Sequence, residues 1–365
     1  MKVLHVYKTY LPDNFQGIPR VIWEIAEGTH RLGVTHEVLS VSATPEPQVV
    51  PVANHLSHRA RQDLFIASTG LSLSVFRRYR ELAAGADLIH YHFPWPLMDL
   101  LHLSAPRRLP SIVTYHSDIV RQKTLRRLYA PLMHRFLDSV DRLVATSPDY
   151  VRSSPVLQRH IDRVAVIPIG LEDRSSPPAD RIAHWRARLG EGFFLFVGAL
   201  RYYKGLQFLA AAARETGLKV VIIGTGEFGA ELADNPPPSL IMLGELDDAD
   251  RDAVMSLCRA FVFPSHLRSE AFGVAMLEAA RAGKPMICCE LGTGTTYVNV
   301  DGETGLVIRP ADAAALGRAM LTFAADAALA QTMGRQARRR YEALFTAPAM
   351  AQAYVDLYEA VLRQG

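Results

Sequence analysis

The sequence predicts an α/β protein made of two Rossmann-like domains with parallel sheets. Short apolar strands alternate with longer helical patterns along all 365 residues. The strands are near-continuous hydrophobic runs, as in parallel sheets covered on both faces. They fall into two successive sets, and the chain is long enough for two domains of ordinary size.

In the first set, strands are expected at 3–7, 37–42, 88–92, 111–115, 142–146 and 164–167. In the second they are expected at 193–198, 219–224, 240–243, 260–263, 286–289 and 305–308. A linker is read at 168–173, followed by the polar stretch 174–178. The domains are therefore set at 1–173 and 174–345. A closing helix runs over roughly 348–362, with Pro348 in its first turn, where a missing N–H costs nothing.

Composition bounds the function. Hydrophobic residues make up 49% and charged residues 21%, a globular balance. No apolar run reaches membrane-spanning length. The chain enters a strand at once, so no secretory leader is expected. Its three cysteines form no CxxC pair and no disulfide framework. A reducing cytoplasm is expected. The net charge of +3 is too small to point to nucleic acid.

The densest signal is Ser269-Glu270-Ala271-Phe272-Gly273-Val274-Ala275-Met276-Leu277-Glu278. On one ideal helix its two carboxylates would sit about 80° apart, so they would not share a face. The spacing instead places Glu270 in a loop and Glu278 one to two turns into a helix starting near Gly273. Free amides and the positive dipole end at such a start make an anion site. The strand 260–263 precedes the motif, and Gly283-Lys284-Pro285 and the strand 286–289 follow it. The motif thus lies at the carboxyl end of a strand, where open α/β sheets bind ligands. Arg201 and Lys204 follow the strand 193–198 at another carboxyl end. Two cations there can offset negative charge that grows on a leaving group. One charge-assisted hydrogen bond is worth about 1.5–3 kcal/mol.

The segment Ser269–Glu278 with Gly-Lys-Pro resembles the Glu-x7-Glu signature of retaining GT-B glycosyltransferases of family 4. The stretches Phe196–Gly205, Val221–Gly226 and Asp301–Val307 support that resemblance. It implies a nucleoside diphosphate sugar as substrate and no cofactor. Glu278 would hold the ribose hydroxyls, and Glu270 would stand by the donor sugar and its phosphate. Arg201 and Lys204 would face the diphosphate. Phe272, Gly273 and Val274 would offer amides to sugar or phosphate, although Ala271 stands where many members have Gly. Gly17, in Gln16-Gly17 before a helix at 18–32, matches the glycine loop that reaches the diphosphate from the first domain. His116, in Thr114-Tyr115-His116-Ser117-Asp118, matches a histidine beside the reacting sugar. The resemblance further implies front-face substitution in a cleft, and a final helix (about 346–365) that returns to the first domain.

The segments Arg201–Leu206 and Gly292–Asn299 are similar to a subgroup that builds bacterial O-chains. That similarity implies GDP-mannose or GDP-rhamnose as donor and a lipid-linked saccharide as acceptor. Other readings stay open: a UDP-sugar donor, a nucleotide-sugar 2-epimerase, or a non-catalytic subunit.

Four further features have two readings each. Asp248-Ala249-Asp250 spells a metal-binding Asp-x-Asp, yet it opens a helix at 250–258, where acidic residues complement the dipole. No required metal is expected. The loop Leu291–Thr296 can cradle phosphate or simply connect. Arg77, Arg78, Arg80, Arg107, Arg108, Arg121, Lys123, Arg126, Arg127 and Arg135 make either a face for anionic lipid or a solvated surface. His90 and His92 alternate on a strand and face one way, but no third ligand stands at zinc-like spacing.

Overall fold

The central apolar runs form strands that are buried on both faces. A computed structural model describes residues 1–66, 69–106, 108–119 and 123–364, with only the backbone of 123–126. The chain divides into two units, Met1–Gly170 with Ala347–Gly365, and Leu171–Thr346.

The first unit carries β1 (Lys2–Val6), β2 (Thr35–Ser42), β3 (Val49–Val52), β4 (His55–Arg61), β5 (Leu64–Ile66), β6 (Thr69–Leu71), β7 (Leu88–Phe93), β8 (Ser111–Tyr115), β9 (Arg142–Ala145) and β10 (Val164–Val166). Eight of them make one sheet in the order β10-β9-β8-β7-β1-β2-β4-β3. Every neighbouring pair is parallel except β3 with β4. The strands β5 and β6 pair antiparallel in a separate two-stranded sheet. The helices Ile18–His30 and Ala347–Leu362 pack closely. A Cβ added at Gly28 would come within 3.0 Å of the Ala351 Cβ.

The second unit carries β11 (Phe194–Val197), β12 (Val220–Ile223), β13 (Leu240–Gly244), β14 (Ala260–Phe263), β15 (Met286–Cys289) and β16 (Gly305–Ile308). Its sheet is parallel throughout, in the order β13-β12-β11-β14-β15-β16. That is the doubly wound order whose direction reverses between the first and fourth strands. The loops after β11 and β14 therefore flank the switch point, where such sheets bind ligands.

Several sequence expectations need correction. The strands β3 to β6 were not anticipated. The β4 segment His-Leu-Ser-His-Arg-Ala-Arg has no continuous apolar run, and β3 contains Pro51, which the sheet tolerates because β3 is its edge. The helix expected at 18–32 ends at His30. The one expected at 250–258 begins at Asp248, capped by Asp247. Among the described residues, no single helix is long and apolar enough to cross a membrane.

Two glycines separate conformational strain from steric contact. Gly205 has φ 72°, and a Cβ there would stand 2.0 Å from the Pro264 carbonyl oxygen. Gly17 has φ 68° with nothing within 4 Å. Gly17, with ψ −122°, lies outside the left-handed helical region, so Gly17→Ala should cost only backbone strain, about 1–3 kcal/mol. Gly205→Ala should cost clearly more, because the loops after β11 and β14 must also part. Denaturant unfolding of the two variants beside the wild type checks this ordering.

Candidate active site

Three segments meet at the switch point of the second sheet. Tyr202–Lys204 forms a single 3-10 turn after β11. Pro264–Glu270 is the loop after β14, and Val274–Arg281 is the helix that follows it. Gly205 lets the first loop lie against the second, as its contact with Pro264 shows.

Lys204 and Glu270 join the two loops. The Lys204 ammonium donates to Glu270 Oε2 at 2.5 Å. Ser265 Oγ donates to the same oxygen at 3.1 Å. Among the described residues, Glu270 Oε1 has no partner. Lys204 also lies over the Phe263 ring, 4.7 Å from its centroid. Burial alone would lower the Lys204 pKa. Glu270 beside it more than offsets burial and holds it above its ordinary 10.5. Arg201 is exposed and near enough to oppose Lys204 by like charge. No carboxylate pairs with it among the described residues.

The helix Val274–Arg281 starts from Gly273, whose φ is 89°. A Cβ at Gly273 would come within 3.0 Å of the Phe263 ring. Phe272 is buried, with Phe345 edge-on to it at 6.1 Å between centroids. Val274 opens the helix half-buried. Its amide belongs to the first turn, whose N–H groups have no intrahelical acceptor. Glu278 sits one turn further and is buried. Its Oε1 lies 3.3 Å from the Arg251 guanidinium. The expected arrangement of loop carboxylate, helix start and second carboxylate is thus present. The Arg251 partner was not read from the sequence, because 27 positions separate it from Glu278 and no motif spans them.

In the first unit, Gly17 caps the helix Ile18–His30 after the loop that follows β1. His116 lies just past β8 and is nearly buried. Burial depresses its pKa to about 3, so its ring is neutral near pH 7.

The secondary features divide. Asp247 accepts from the Asp250 amide. Asp248 pairs with Arg174 and Arg251, and Asp250 with Arg181 and the Trp185 indole. The Asp-x-Asp carboxylates are therefore engaged by arginines, in keeping with the helix-capping reading. Thr293 precedes a short helix, Gly294–Val298, so Leu291–Thr296 is partly helical. On the basic face, Arg77 and Arg78 pair with Glu81, and Arg108 with Asp141. Arg80, Arg127 and Arg135 are exposed. Arg107, Arg121 and the side chains of Lys123 and Arg126 lie outside the described residues.

The spacing argument against a third ligand for His90 and His92 is corrected. His5, on the neighbouring strand β1, brings a ligand atom within 4.8 Å of theirs. Linear spacing missed it because parallel pairing sets His5 directly opposite His90.

Comparison with known proteins adds four findings. The family model Glycosyltransferase Family 4 matches residues 15–174, and Glycosyl transferases group 1 matches 180–340. The chain is 51% identical to the D-rhamnosyltransferase WbpZ of Pseudomonas aeruginosa, over 95% of this chain and 93% of the relative. It is 46% identical to the O-antigen chain mannosyltransferase C of Escherichia coli, over 99% of each. Its fold matches two solved structures. One is sucrose-phosphate synthase from Thermosynechococcus elongatus, with TM-score 0.83, 21% identity and full coverage of both chains. The other is WaaG, a glycosyltransferase involved in lipopolysaccharide biosynthesis, with TM-score 0.72, 15% identity and 98% and 99% coverage.

Breaking the Lys204–Glu270 pair should be worse than removing it. Lys204→Met strands a buried carboxylate and should cost about 3–5 kcal/mol in urea unfolding. Adding Glu270→Gln to it should recover most of that stability. The raised Lys204 pKa gives stability that is complete below pH 10.5 and is lost as pH rises through the folded value above it. The buried histidines act at the opposite end of the scale. Burial lowers the pKa values of His36 and His116 from 6.5 to about 3, so the unfolded chain binds more protons between those limits. Stability should therefore fall as pH drops from about 6.5 towards 3, which an acid titration of the melting temperature would record.

Proposed function

The chain belongs to the glycosyl transferases group 1 family and has the GT-B fold; from that premise, we propose that it transfers D-rhamnose or D-mannose from a GDP-sugar to a saccharide hydroxyl, retaining the anomeric configuration. The acceptor in this reading is a lipid-linked saccharide of a bacterial O-antigen, met at the cytoplasmic face of a membrane. The two relatives reported above support the sugar, one being a D-rhamnosyltransferase and the other a mannosyltransferase. The observation that carries the chemistry is the Lys204–Glu270 pair at the switch point, with Arg201 exposed beside it and Glu278 one turn into the next helix.

In this mechanism Arg201 and Lys204 meet the diphosphate and stabilise its charge as the bond to the sugar lengthens. Amides of Phe272, Gly273 and Val274 approach sugar or phosphate from the helix start. Glu278 accepts from the ribose hydroxyls. The acceptor hydroxyl attacks the anomeric carbon on the face the diphosphate leaves. Its C–O bond forms as the sugar–phosphate bond breaks, and its proton passes to the departing phosphate oxygen. The negative charge is met by side-chain cations and amides, and the Asp-x-Asp carboxylates are held by arginines. Both features support a mechanism without a required metal.

Thermal stabilisation by GDP, UDP and ADP at equal concentration tests the donor. Saturation at 100 times the dissociation constant adds about 2.7 kcal/mol. GDP should give the largest shift, and Glu278→Ala should abolish it. A larger UDP shift would overturn the GDP assignment but leave the transferase. Incubation with GDP-rhamnose or GDP-mannose should release GDP only when the saccharide acceptor is present. Conversion of the donor alone would instead mark an epimerase.

A further inference from the structure

Four histidines cross the first sheet in one hydrogen-bonded row. His36 stands on β2, His5 on β1, His92 on β7 and His116 just beyond β8, four consecutive neighbours in the sheet. The His36 Nδ1 lies 3.0 Å from His5 Nε2. The His5 Nδ1 lies 3.0 Å from His92 Nε2. The His92 Nδ1 lies 3.0 Å from His116 Nε2. At the inner end, His36 Nε2 lies 2.7 Å from Thr29 Oγ1 on the helix Ile18–His30. At the outer end, His116 Nδ1 has no partner among the described residues.

A neutral imidazole carries one N–H and one lone pair. Burial keeps these rings neutral near pH 7, with His36 and His116 at about 3 and His5 and His92 well below 6.5. Every link then needs one donor and one acceptor, so the whole row must point one way. Thr29 decides which way. Its Oγ1 lies 2.7 Å from the Ile25 carbonyl oxygen. A carbonyl only accepts, so the hydroxyl proton goes to Ile25. Thr29 can then only accept from His36, which must carry its proton on Nε2. The same assignment repeats at His5 and His92 and ends at His116 with Nε2 protonated.

We propose that Thr29, His36, His5 and His92 are a positioning chain that fixes the tautomer of His116, so that its Nδ1 meets substrate as a bare hydrogen-bond acceptor. An acceptor nitrogen takes a hydroxyl and turns away an unprotonated phosphate oxygen. His116 therefore recognises a sugar hydroxyl rather than the diphosphate. The identity of that ligand rests on the transferase reading; the tautomer does not. A metal held by His5, His90 and His92 would compete with the row. However, His90 already bonds Tyr358 at 2.8 Å and Thr114 at 2.7 Å, and His5 and His92 spend both nitrogens in the row.

Long-range ¹⁵N–¹H spectra of histidine-labelled full-length protein, without nucleotide, read each tautomer directly. The His116 signals are assigned by their loss in His116→Asn. The wild type should show His116, His92, His5 and His36 all protonated on Nε2. Thr29→Val should reverse the row and move the His116 proton to Nδ1, whereas Thr29→Ser should keep the wild-type pattern. With Thr29→Val, transfer should fall roughly fivefold or more, the worth of one neutral hydrogen bond. The GDP-induced thermal shift should stay unchanged. A His116 proton on Nδ1 in the wild type would overturn the proposal, as would an unchanged tautomer in Thr29→Val. Zinc bound to His5 and His92 in protein incubated with zinc alone would overturn it too. Should Thr29→Val fail to fold, the wild-type spectrum decides. A failure of GDP to bind the wild type would count against the donor reading and leave the tautomer result standing.

Discussion

The second unit is organised around one buried ion pair. Lys204 comes from the loop after β11 and Glu270 from the loop after β14. Those strands are hydrogen-bonded neighbours, and their connections leave in opposite directions along the sheet. A gap opens where connections diverge, and the pair spans it. Taking both charges from water is expensive, and their attraction repays it only with good geometry and further hydrogen bonds. Ser265 supplies one of those, and the Phe263 ring lies beneath the ammonium. Such a pair is better suited to holding two loops in register than to adding net stability.

The first unit solves a different problem. Its central strands carry His5, His90 and His92 fully buried, where an apolar side chain would be ordinary. A buried polar group without a partner costs about 1–3 kcal/mol. Here the rings satisfy one another, Thr29 and Thr114, and Tyr358 of the helix Ala347–Leu362. The polar row is tolerable because both ring nitrogens of each fully buried histidine have partners, and that makes its direction of donation a property of the fold.

Much of this was legible in the sequence. The second unit's strands are apolar runs of four or five residues between turns, and the structure keeps all six within a residue or two of their expected ends. The local order Glu270, Gly273, Glu278 could be read because a left-handed glycine starts the helix between the two carboxylates. The strand β4 was missed because four of its seven residues are arginine or histidine in an otherwise mixed run, and its burial comes from tertiary pairing with β2. The row of histidines was half legible. Alternation put His90 and His92 on one face, but His5, His36 and His116 join them only through the strand order, which no local pattern encodes. The Arg251 partner of Glu278 was hidden for the same reason.

The closing helix Ala347–Leu362 belongs to the first unit although the whole second unit precedes it in the chain. The second unit is in effect an insertion within the first. During synthesis the ribosome releases β1 to β10 well before the helix whose Tyr354 and Tyr358 meet Thr114 and His90. Until that helix arrives, a sheet face carrying buried histidines stays open to water. The second unit has every residue it needs sooner, so the later-made half of the protein can finish folding first, and the earlier half waits on it.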